Sequence, residues 1–290
     1  AMESMLQRFI RYAKINTRSD LHSDAVPTTP GQLDFLRMLE GELKDLGLSQ
    51  VRFNPVDAFV TALLPSNLPA HQKAPAIGFI AHVDTADFNA ENIQPQVHAD
   101  YDGQDIVLNP DLDIVMRVSE FPNLTHYVGQ TLITTDGTTL LGADDKAGLV
   151  SILEAVIHLL AHPDLPHGDI WLAFGPDEEI GKGAHRFQAQ DFPADFAYTL
   201  DSGEVGKLEY ETFNAARVML TIDGTSVHPG TAKGLMVNAL AEAAKLFARL
   251  PQDQVPELTE GHEGYYMLSS QSGDIGQVQA TYIIRDHDKE

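Results

Sequence analysis

Short apolar runs alternate with helical segments along the first two hundred residues, and this alternation limits the folds open to the chain. The runs lie at 59–64, 76–81 and 170–174, and a segment of helical periodicity lies at 146–160. Strands that alternate with helices pack as layers, because each helix covers part of a sheet whose strands are buried. The pattern therefore predicts an α/β fold with a mixed, largely parallel sheet flanked by helices.

An earlier helix is predicted by its start and stop signals. Thr29 has the residue type of an N-cap, Pro30 suits the first helical position, and Gln32 is placed to complete a capping box. Leucines then recur at helical spacing until Gly47, whose residue type commonly ends a helix.

The pattern of strand-like and helical segments changes near residue 214, which indicates a second domain. An alternating strand begins at Ala215 and is followed by a helix at 238–250 and by strand-like runs at 265–269 and 278–284. We therefore predict a first domain over residues 1–213. Residues 214–290 are expected to form a smaller α+β domain that is incomplete at the C-terminus.

Composition excludes several classes of partner. The chain has 42 acidic and 19 basic residues and a formal net charge of -23, so it would be repelled by nucleic acid and by anionic membranes. It has no cysteine, which excludes disulfides and thiolate metal sites. The N-terminal segment has amphipathic rather than export-signal character, and the longest apolar stretch is too short to cross a bilayer. We expect a cytoplasmic, soluble protein.

Four predicted strands run directly into charged side chains. The residues that follow them are His82 and Asp84, then Asp144 and Asp145, then Asp177, Glu178 and Glu179, and finally Asp201. Functional groups of open α/β sheets gather at the carboxyl ends of strands, so these side chains are expected at one sheet edge. One imidazole among so many carboxylates is costly unless cations neutralise the charge, and a divalent metal ion is the simplest cation.

Each of these residues alone has a plainer explanation. His82 could be a hydrogen-bonded histidine at a strand end, Asp144 and Asp145 could cap the following helix, and Glu178 and Glu179 could form a solvated turn. The repetition of a strand followed by an acid favours a shared site over these separate explanations.

The motifs at these positions resemble one enzyme family. They are His82-Val83-Asp84-Thr85, Gly142-Ala143-Asp144-Asp145-Lys146-Ala147-Gly148, Pro176-Asp177-Glu178-Glu179 with Gly181, and Thr199-Leu200-Asp201. Their order and spacing are similar to those of the co-catalytic dinuclear-zinc exopeptidases, which include aminoacylases and glutamate carboxypeptidases. The segments Ile133-Thr134-Thr135-Asp136-Gly137, Phe213-Asn214-Ala215-Ala216 and Val227-His228-Pro229-Gly230-Thr231-Ala232-Lys233-Gly234 resemble its tripeptide aminopeptidase (peptidase T) branch in particular.

The resemblance implies a set of metal ligands for two zinc ions. Asp144 would bridge the ions, His82 and Asp201 would complete one site, and Glu179 would belong to the other. It also implies a cis peptide bond between Asp144 and Asp145, and a catalytic domain at 1–213 with a lid domain after it.

The resemblance also implies catalytic and substrate-binding roles. Asp84 would orient the ring of His82, and Glu178 would be the general base that takes a proton from the metal-bridging water. His228 and Arg285 would contact the substrate. His228 alone would otherwise be interpreted as a surface loop histidine.

The implied activity is release of the N-terminal residue from short peptides, with tripeptides as substrates. Relatives carry a further histidine ligand beyond the lid domain, so we expect this chain to have only one fully liganded zinc site and to be inactive as given. The alternatives are an amidohydrolase, deacylase or carboxypeptidase of the same family, or a non-catalytic fragment that binds metal or peptide. The expected partner is a short peptide, without nucleic acid or membrane, and a homodimer is left open.

Overall fold

The computed structural model describes residues 2–290, which separate into two compact units between Gly203 and Glu204. Residues 204–213, which the sequence analysis assigned to the first domain, therefore belong to the second unit. None of the helices in the described residues has the length and apolar character needed to cross a membrane.

The chain contains helices and strands in mixed order. The helices are α1 (Met5–Ala13), α2 (Pro30–Asp45), α3 (Ala143–Ala161) and α4 (Ala239–Arg249). The strands of the first unit are β1 (Ser49–Phe53), β2 (Val60–Leu64), β3 (Ile77–His82), β4 (Gln96–His98), β5 (Ile106–Asn109), β6 (Ile114–Met116), β7 (Leu132–Thr134), β8 (Ile170–Gly175) and β9 (Phe196–Thr199). Those of the second unit are β10 (Asn214–Asp223), β11 (Tyr265–Gly273) and β12 (Gln277–Asp286).

The main sheet of the first unit has five strands in the order β1-β2-β8-β3-β9. β3 lies between β8 and β9 and is parallel to both, whereas β2 is antiparallel to β1 and to β8. The predicted mixed sheet is confirmed, and two of its four pairings are parallel. The three parallel strands position the site, because the carboxyl ends of β8, β3 and β9 lie at the same edge of the sheet.

The two faces of this sheet carry different cores. On β8, Leu172 and Phe174 join a large cluster with the apolar faces of α1, α2 and α3, whereas Trp171 and Ala173 point to a smaller cluster on the opposite face. This alternation follows from the two-residue period of a strand. The helix side chains of the large cluster include Tyr12, Phe35, Leu39, Leu43, Leu149 and Leu153. Three helices thus cover one face of the sheet.

Helix α2 starts where it was predicted, but not by the predicted mechanism. Thr29 is the N-cap and Pro30 the first helical residue, yet the Thr29 side chain makes no cap hydrogen bond. Its hydroxyl donates instead to the Arg18 carbonyl at 2.8 Å, and the Gln32 amide donates to Asp177 at 2.8 Å. The predicted capping box is wrong because longer-range partners compete for both side chains.

The second unit is a three-stranded antiparallel sheet in the order β10-β12-β11, packed against α4. Ala239 and Ala243 of α4 pack on Val278 of β12. The predicted strand, helix and two further strands are all present, so this unit has the α+β composition expected from the sequence.

Candidate active site

The site lies at the carboxyl edge of the parallel strands. His82 ends β3 and pairs in register with Gly175 at the end of β8, and Ile80 pairs with Thr199 at the end of β9. The loops that leave β8 and β9 therefore start on the two sides of His82. Glu178 and Asp201 follow in these loops, which explains why segments far apart in sequence meet here.

The imidazole of His82 is the centre of the cluster. Its Nε2 atom lies 2.9 Å from Oδ1 of Asp144, 3.5 Å from Oδ2 of Asp201 and 3.6 Å from Oε2 of Glu178. Ligand atoms of His82, Glu178 and Glu179 all lie within 4.8 Å of one another, and so do those of His82, Asp144 and Asp201. The structure thus brings all four predicted metal ligands and the predicted general base to one place. The individual roles stay predictions.

Asp84 fixes the orientation and tautomer of His82. Its carboxylate is fully buried, and its Oδ1 lies 3.1 Å from Nδ1 of His82. An ionised carboxylate only accepts hydrogen bonds, so Nδ1 carries the proton. Without a further proton, Nε2 then presents its lone pair to the surrounding carboxylates, which is the arrangement of a metal-binding histidine.

Asp84 also holds the backbone of the acidic loop after β8. Its Oδ1 accepts the backbone N–H of Glu178 at 2.9 Å, and its Oδ2 accepts that of Glu179 at 3.1 Å. One buried carboxylate therefore positions both the imidazole and the two glutamates. Only the first of these tasks was predicted for Asp84, because main-chain partners leave no signature in side-chain patterns.

The start of α3 supplies Asp144 and a second buried acid. Gly142 precedes the helix at φ 82°, and the expected cis peptide bond joins Asp144 to Asp145. Asp144 is exposed toward the cluster, whereas Asp145 is buried and its Oδ2 accepts the backbone N–H of His82 at 3.2 Å. Asp145 was expected at this sheet edge, but no role was predicted for it. Its position beside Asp144 in the motif was the only available signal.

Gly148 permits the close approach of α3 to the end of β9. A Cβ atom at this position would lie 2.0 Å from the carbonyl oxygen of Leu200 and 2.4 Å from Oδ1 of Asp145. Both contacts are far shorter than van der Waals separation, and one involves backbone that cannot rotate away. A glycine is therefore required here to place Asp201, which follows Leu200, beside Asp144.

Asp177 anchors the acidic loop from its other side. This buried residue has φ 61°, and its carboxylate accepts hydrogen bonds from the Thr28 hydroxyl at 2.6 Å and from the Gln32 amide at 2.8 Å. Its own N–H donates to Gln32 Oε1 at 3.1 Å, and Arg186 lies 3.3 Å from its Oδ2. The residue directly before Glu178 is thus held by α2, a link that sequence reasoning missed.

The cluster is electrostatically unbalanced without a cation. Burial raises the pKa of Asp145 to about 8, and the charge of Asp201 adds to the effect. Burial also raises the pKa of Glu179 to about 7 and of Asp201 to about 6, in both cases reinforced by the charge of Asp144. Burial disfavours the charged imidazolium of His82, but the hydrogen bond and charge of Asp84 outweigh it and raise its pKa to about 10.

These shifts have two physical causes, the burial of the ionisable groups and the excess of negative charge around them. A divalent ion would remove the repulsion and replace the proton on Nε2 of His82. The donors offered are one imidazole nitrogen and several carboxylate oxygens, a set that suits zinc and similar ions. The residues present therefore fit the metal that the resemblance implies.

His228 and Arg285 belong to the second unit. His228 is exposed, and its Nδ1 accepts the Gly230 N–H at 3.0 Å, which leaves Nε2 as a hydrogen-bond donor. Arg285 on β12 donates to the carbonyl of Ile284 at 2.9 Å, and its guanidinium lies 5.8 Å from the Phe213 ring centroid. Their substrate contacts stay predictions.

Comparison with known folds defines the class of the chain. Residues 210–290 match the peptidase dimerisation domain of the M20 peptidases. The structure resembles a tripeptidase from Staphylococcus aureus with a TM-score of 0.70 and 22% identity, over 98% of this chain and 66% of that one. It resembles aminopeptidase PepT from Bacillus cereus with a TM-score of 0.68 and 24% identity, over the same shares. The fold is that of the M20 peptidases.

Curated relatives identify the branch within that class. The chain is 56% identical over 286 residues to peptidase T of Fusobacterium nucleatum, and 53% identical over 287 residues to peptidase T of Listeria monocytogenes serotype 4b. Each alignment covers 99% of this chain and 69% of the relative. The chain belongs to the peptidase T family. It spans about two thirds of the length of these relatives and of the two solved structures.

Proposed function

We propose that this chain carries the hydrolytic site of a metal-dependent aminopeptidase that releases the N-terminal residue of short peptides, tripeptides above all. The observation that supports it best is the arrangement at His82, whose Nδ1 is held by a buried carboxylate while Nε2 faces three other carboxylates. The substrate class is taken from the relatives named peptidase T and from the S. aureus protein described as a tripeptidase.

His82, Asp144, Asp201 and Glu179 are the proposed ligands of two zinc ions. Asp144 suits a bridging role because its exposed carboxylate is close to His82 and its charge acts on both Asp201 and Glu179. Zinc ions bound here would polarise the scissile carbonyl and lower the pKa of the attacking water. Asp84 and Asp145 would keep the ligands in place from behind, through the ring and the backbone N–H of His82.

Glu178 is the proposed general base. Its carboxylate is solvent-accessible, while its backbone N–H is fixed by Asp84, so the side chain can reach a water without losing its anchor. It would take a proton from the attacking water as the new C–O bond forms. It would then give that proton to the amide nitrogen as the C–N bond breaks and the shortened peptide leaves as an amine.

The second unit is proposed to supply substrate contacts and a dimer interface. His228 retains an Nε2–H donor that suits a developing oxyanion, and Arg285 carries a permanent positive charge that suits a peptide carboxylate. The dimerisation-domain match at 210–290 supports a homodimer. The absence of cysteine suits the reducing cytoplasm, where we place the protein.

The proposal is tested by Glu178→Gln in the natural gene product that carries this sequence. Turnover of an unblocked tripeptide should fall about 10²- to 10⁴-fold, since an amide cannot accept the proton. Bound zinc, measured by elemental analysis, should stay unchanged, because Glu178 is not a proposed ligand. Glu257→Gln, at an exposed position of the second unit, is the control.

The same assay separates the neighbouring chemistries. An aminopeptidase should cleave the unblocked tripeptide and not its N-acetylated form, whereas a deacylase should prefer the acetylated form. Preference for the acetylated form, or normal turnover by the glutamine variant, would contradict the proposal.

A further inference from the structure

We propose a second metal site, formed by Glu211, His262 and His287, that binds one divalent transition-metal ion of the zinc type. All three residues belong to the second unit, and none takes part in the cluster at His82. One ligand atom from each lies within 4.8 Å of the other two. This site is a property of the second unit alone and does not depend on the proposed peptidase activity.

The sheet of the second unit brings the three residues together. β12 is the central strand, and its Arg285 pairs with Ala215 of β10 on one side and with Tyr265 of β11 on the other. β10 and β11 begin at the edge where β12 ends, since both run antiparallel to it. Glu211 and His262 precede the two outer strands and His287 follows the central one, so the three side chains emerge at one edge of a hydrogen-bonded scaffold.

The side chains are already in contact with one another. Nε2 of His262 is hydrogen-bonded to a carboxylate oxygen of Glu211, and the rings of His262 and His287 have centroids 4.5 Å apart. Zinc binds nitrogen and oxygen ligands at about 2.0–2.2 Å, so two ligands of one ion lie at most about 4 Å apart. Closing the group around an ion therefore needs side-chain movements on the order of 1 Å.

The backbone around the ligands is held in place before any ion binds. The Asn214 amide donates to the carbonyls of Asp286 and His287, at 3.2 and 3.4 Å. The loop that carries His262 reaches the end of β12 at Gly264, where a Cβ atom would lie 2.0 Å from Oδ2 of Asp286. A preformed backbone lowers the entropy lost when the ion binds. A surface site with only three protein ligands needs this low cost to bind an ion tightly.

The donors define the class of ion. Two imidazoles and one carboxylate suit zinc, nickel and copper, whereas calcium and magnesium prefer oxygen ligands alone. The same concave surface is lined by Asp286 and Asp288, whose charges attract a cation, and by Lys289. An ion pair between Glu211 and His262 would explain those two residues alone. The ion pair gives no role to His287, whereas the metal site needs it, so replacing His287 distinguishes the two explanations.

The test is a zinc titration of the full chain against a chromophoric chelator at pH 7.5, with His262→Gln and His287→Gln as the variants. Each should lose one zinc equivalent or bind it at least about tenfold more weakly. The control is His162→Gln, because His162 stacks on His158 at 4.2 Å but belongs to no three-ligand group among residues 2–290. Thermal melts of the metal-free proteins should be equal, which separates ligand loss from misfolding.

Hydrogen exchange gives an independent readout of location. Zinc should slow amide exchange in the segments around 211–214, 262–265 and 285–288 of the wild-type chain and not in those of His287→Gln. Unchanged stoichiometry and affinity in His287→Gln, or zinc protection confined to the first unit, would overturn the proposal. Neither readout uses peptide hydrolysis, so this result and that of the proposed function are independent.

Discussion

Replacing Asp84 by asparagine should separate the task of this carboxylate from that of the metal ligands. Its two oxygens accept three hydrogen bonds, from Nδ1 of His82 and the backbone N–H groups of Glu178 and Glu179. An asparagine has one acceptor oxygen. If that oxygen keeps the two bonds made by Oδ1, the amide NH₂ faces the N–H of Glu179, and two donors meet in a buried space.

The expected loss of zinc affinity follows from the number of hydrogen bonds that the asparagine cannot accept. A hydrogen bond to a charged group contributes about 1.5–3 kcal/mol, and a buried donor without a partner costs about 1–3 kcal/mol. Since about 1.4 kcal/mol is a factor of ten, losing one bond at the glutamate loop should weaken zinc binding about 10- to 100-fold. Turnover of a tripeptide should fall at least as far, because the proposed base sits on the same loop.

Zinc affinity is measured by competition with a chelator, and turnover is measured at saturating zinc, both in the natural gene product that carries this sequence. Asp87→Asn is the matched control, because Asp87 lies three residues away but its exposed carboxylate pairs only with Arg18 among its described salt bridges. If Asp84→Asn bound zinc as tightly as the wild type while losing thermal stability, Asp84 would be a purely structural acid. That result would refute the argument that it positions ligands.

Three further expectations follow from the same site. Gly148→Ala should destabilise the first unit by about 1–3 kcal/mol in urea denaturation, because its Cβ meets the Leu200 carbonyl, whereas Gly41→Ala in open space on α2 should be neutral or stabilising. Asp177→Asn should cost about 1.5–3 kcal/mol in the same assay and also lower turnover through the adjacent Glu178. The metal-free chain should lose stability as pH rises from about 4 to about 8, because burial raises the folded pKa of Asp145 to about 8, and saturating zinc should flatten this slope.

Local sequence patterns predicted the elements better than their connections. The helix expected at 146–160 forms from Ala143 to Ala161, because this segment is long and apolar over most of its surface. The helix expected at 238–250 forms from Ala239 to Arg249, because its apolar residues recur strongly at helical spacing. Strands β4 to β7 were not predicted. Three of the four have only three residues, and they pair in two small two-stranded sheets, so they are too short for a period to be recognised.

Around His82, too, short-range patterns were predictable and long-range contacts were not. Side chains that face the cluster were predicted, because each follows an apolar strand or starts a helix within a short motif. Of the residues that hold them, Asp84 was predicted to orient His82, but the other contacts were missed. Gln32 and Thr28 are near a helix start, where such residues usually cap the helix, but here they bind Asp177 about 145 residues later in the chain. A local pattern carries no information about a partner so far away.

The missed contacts explain how so much negative charge is tolerated at one sheet edge. Asp84, Asp145 and Asp177 are buried carboxylates, and each accepts hydrogen bonds from backbone or side-chain donors of a neighbouring segment. Those bonds offset part of the desolvation cost of the three acids and fix the loops that carry the outward-facing Asp144, Glu178, Glu179 and Asp201. Among the outward-facing acids, Asp144 contacts Nε2 of His82, but one imidazole cannot neutralise four carboxylates, so most of their mutual repulsion remains until a cation binds. The buried acids accept hydrogen bonds within the fold and hold the loops in place. The exposed acids remain available to bind a metal ion, and a rigid metal site requires both.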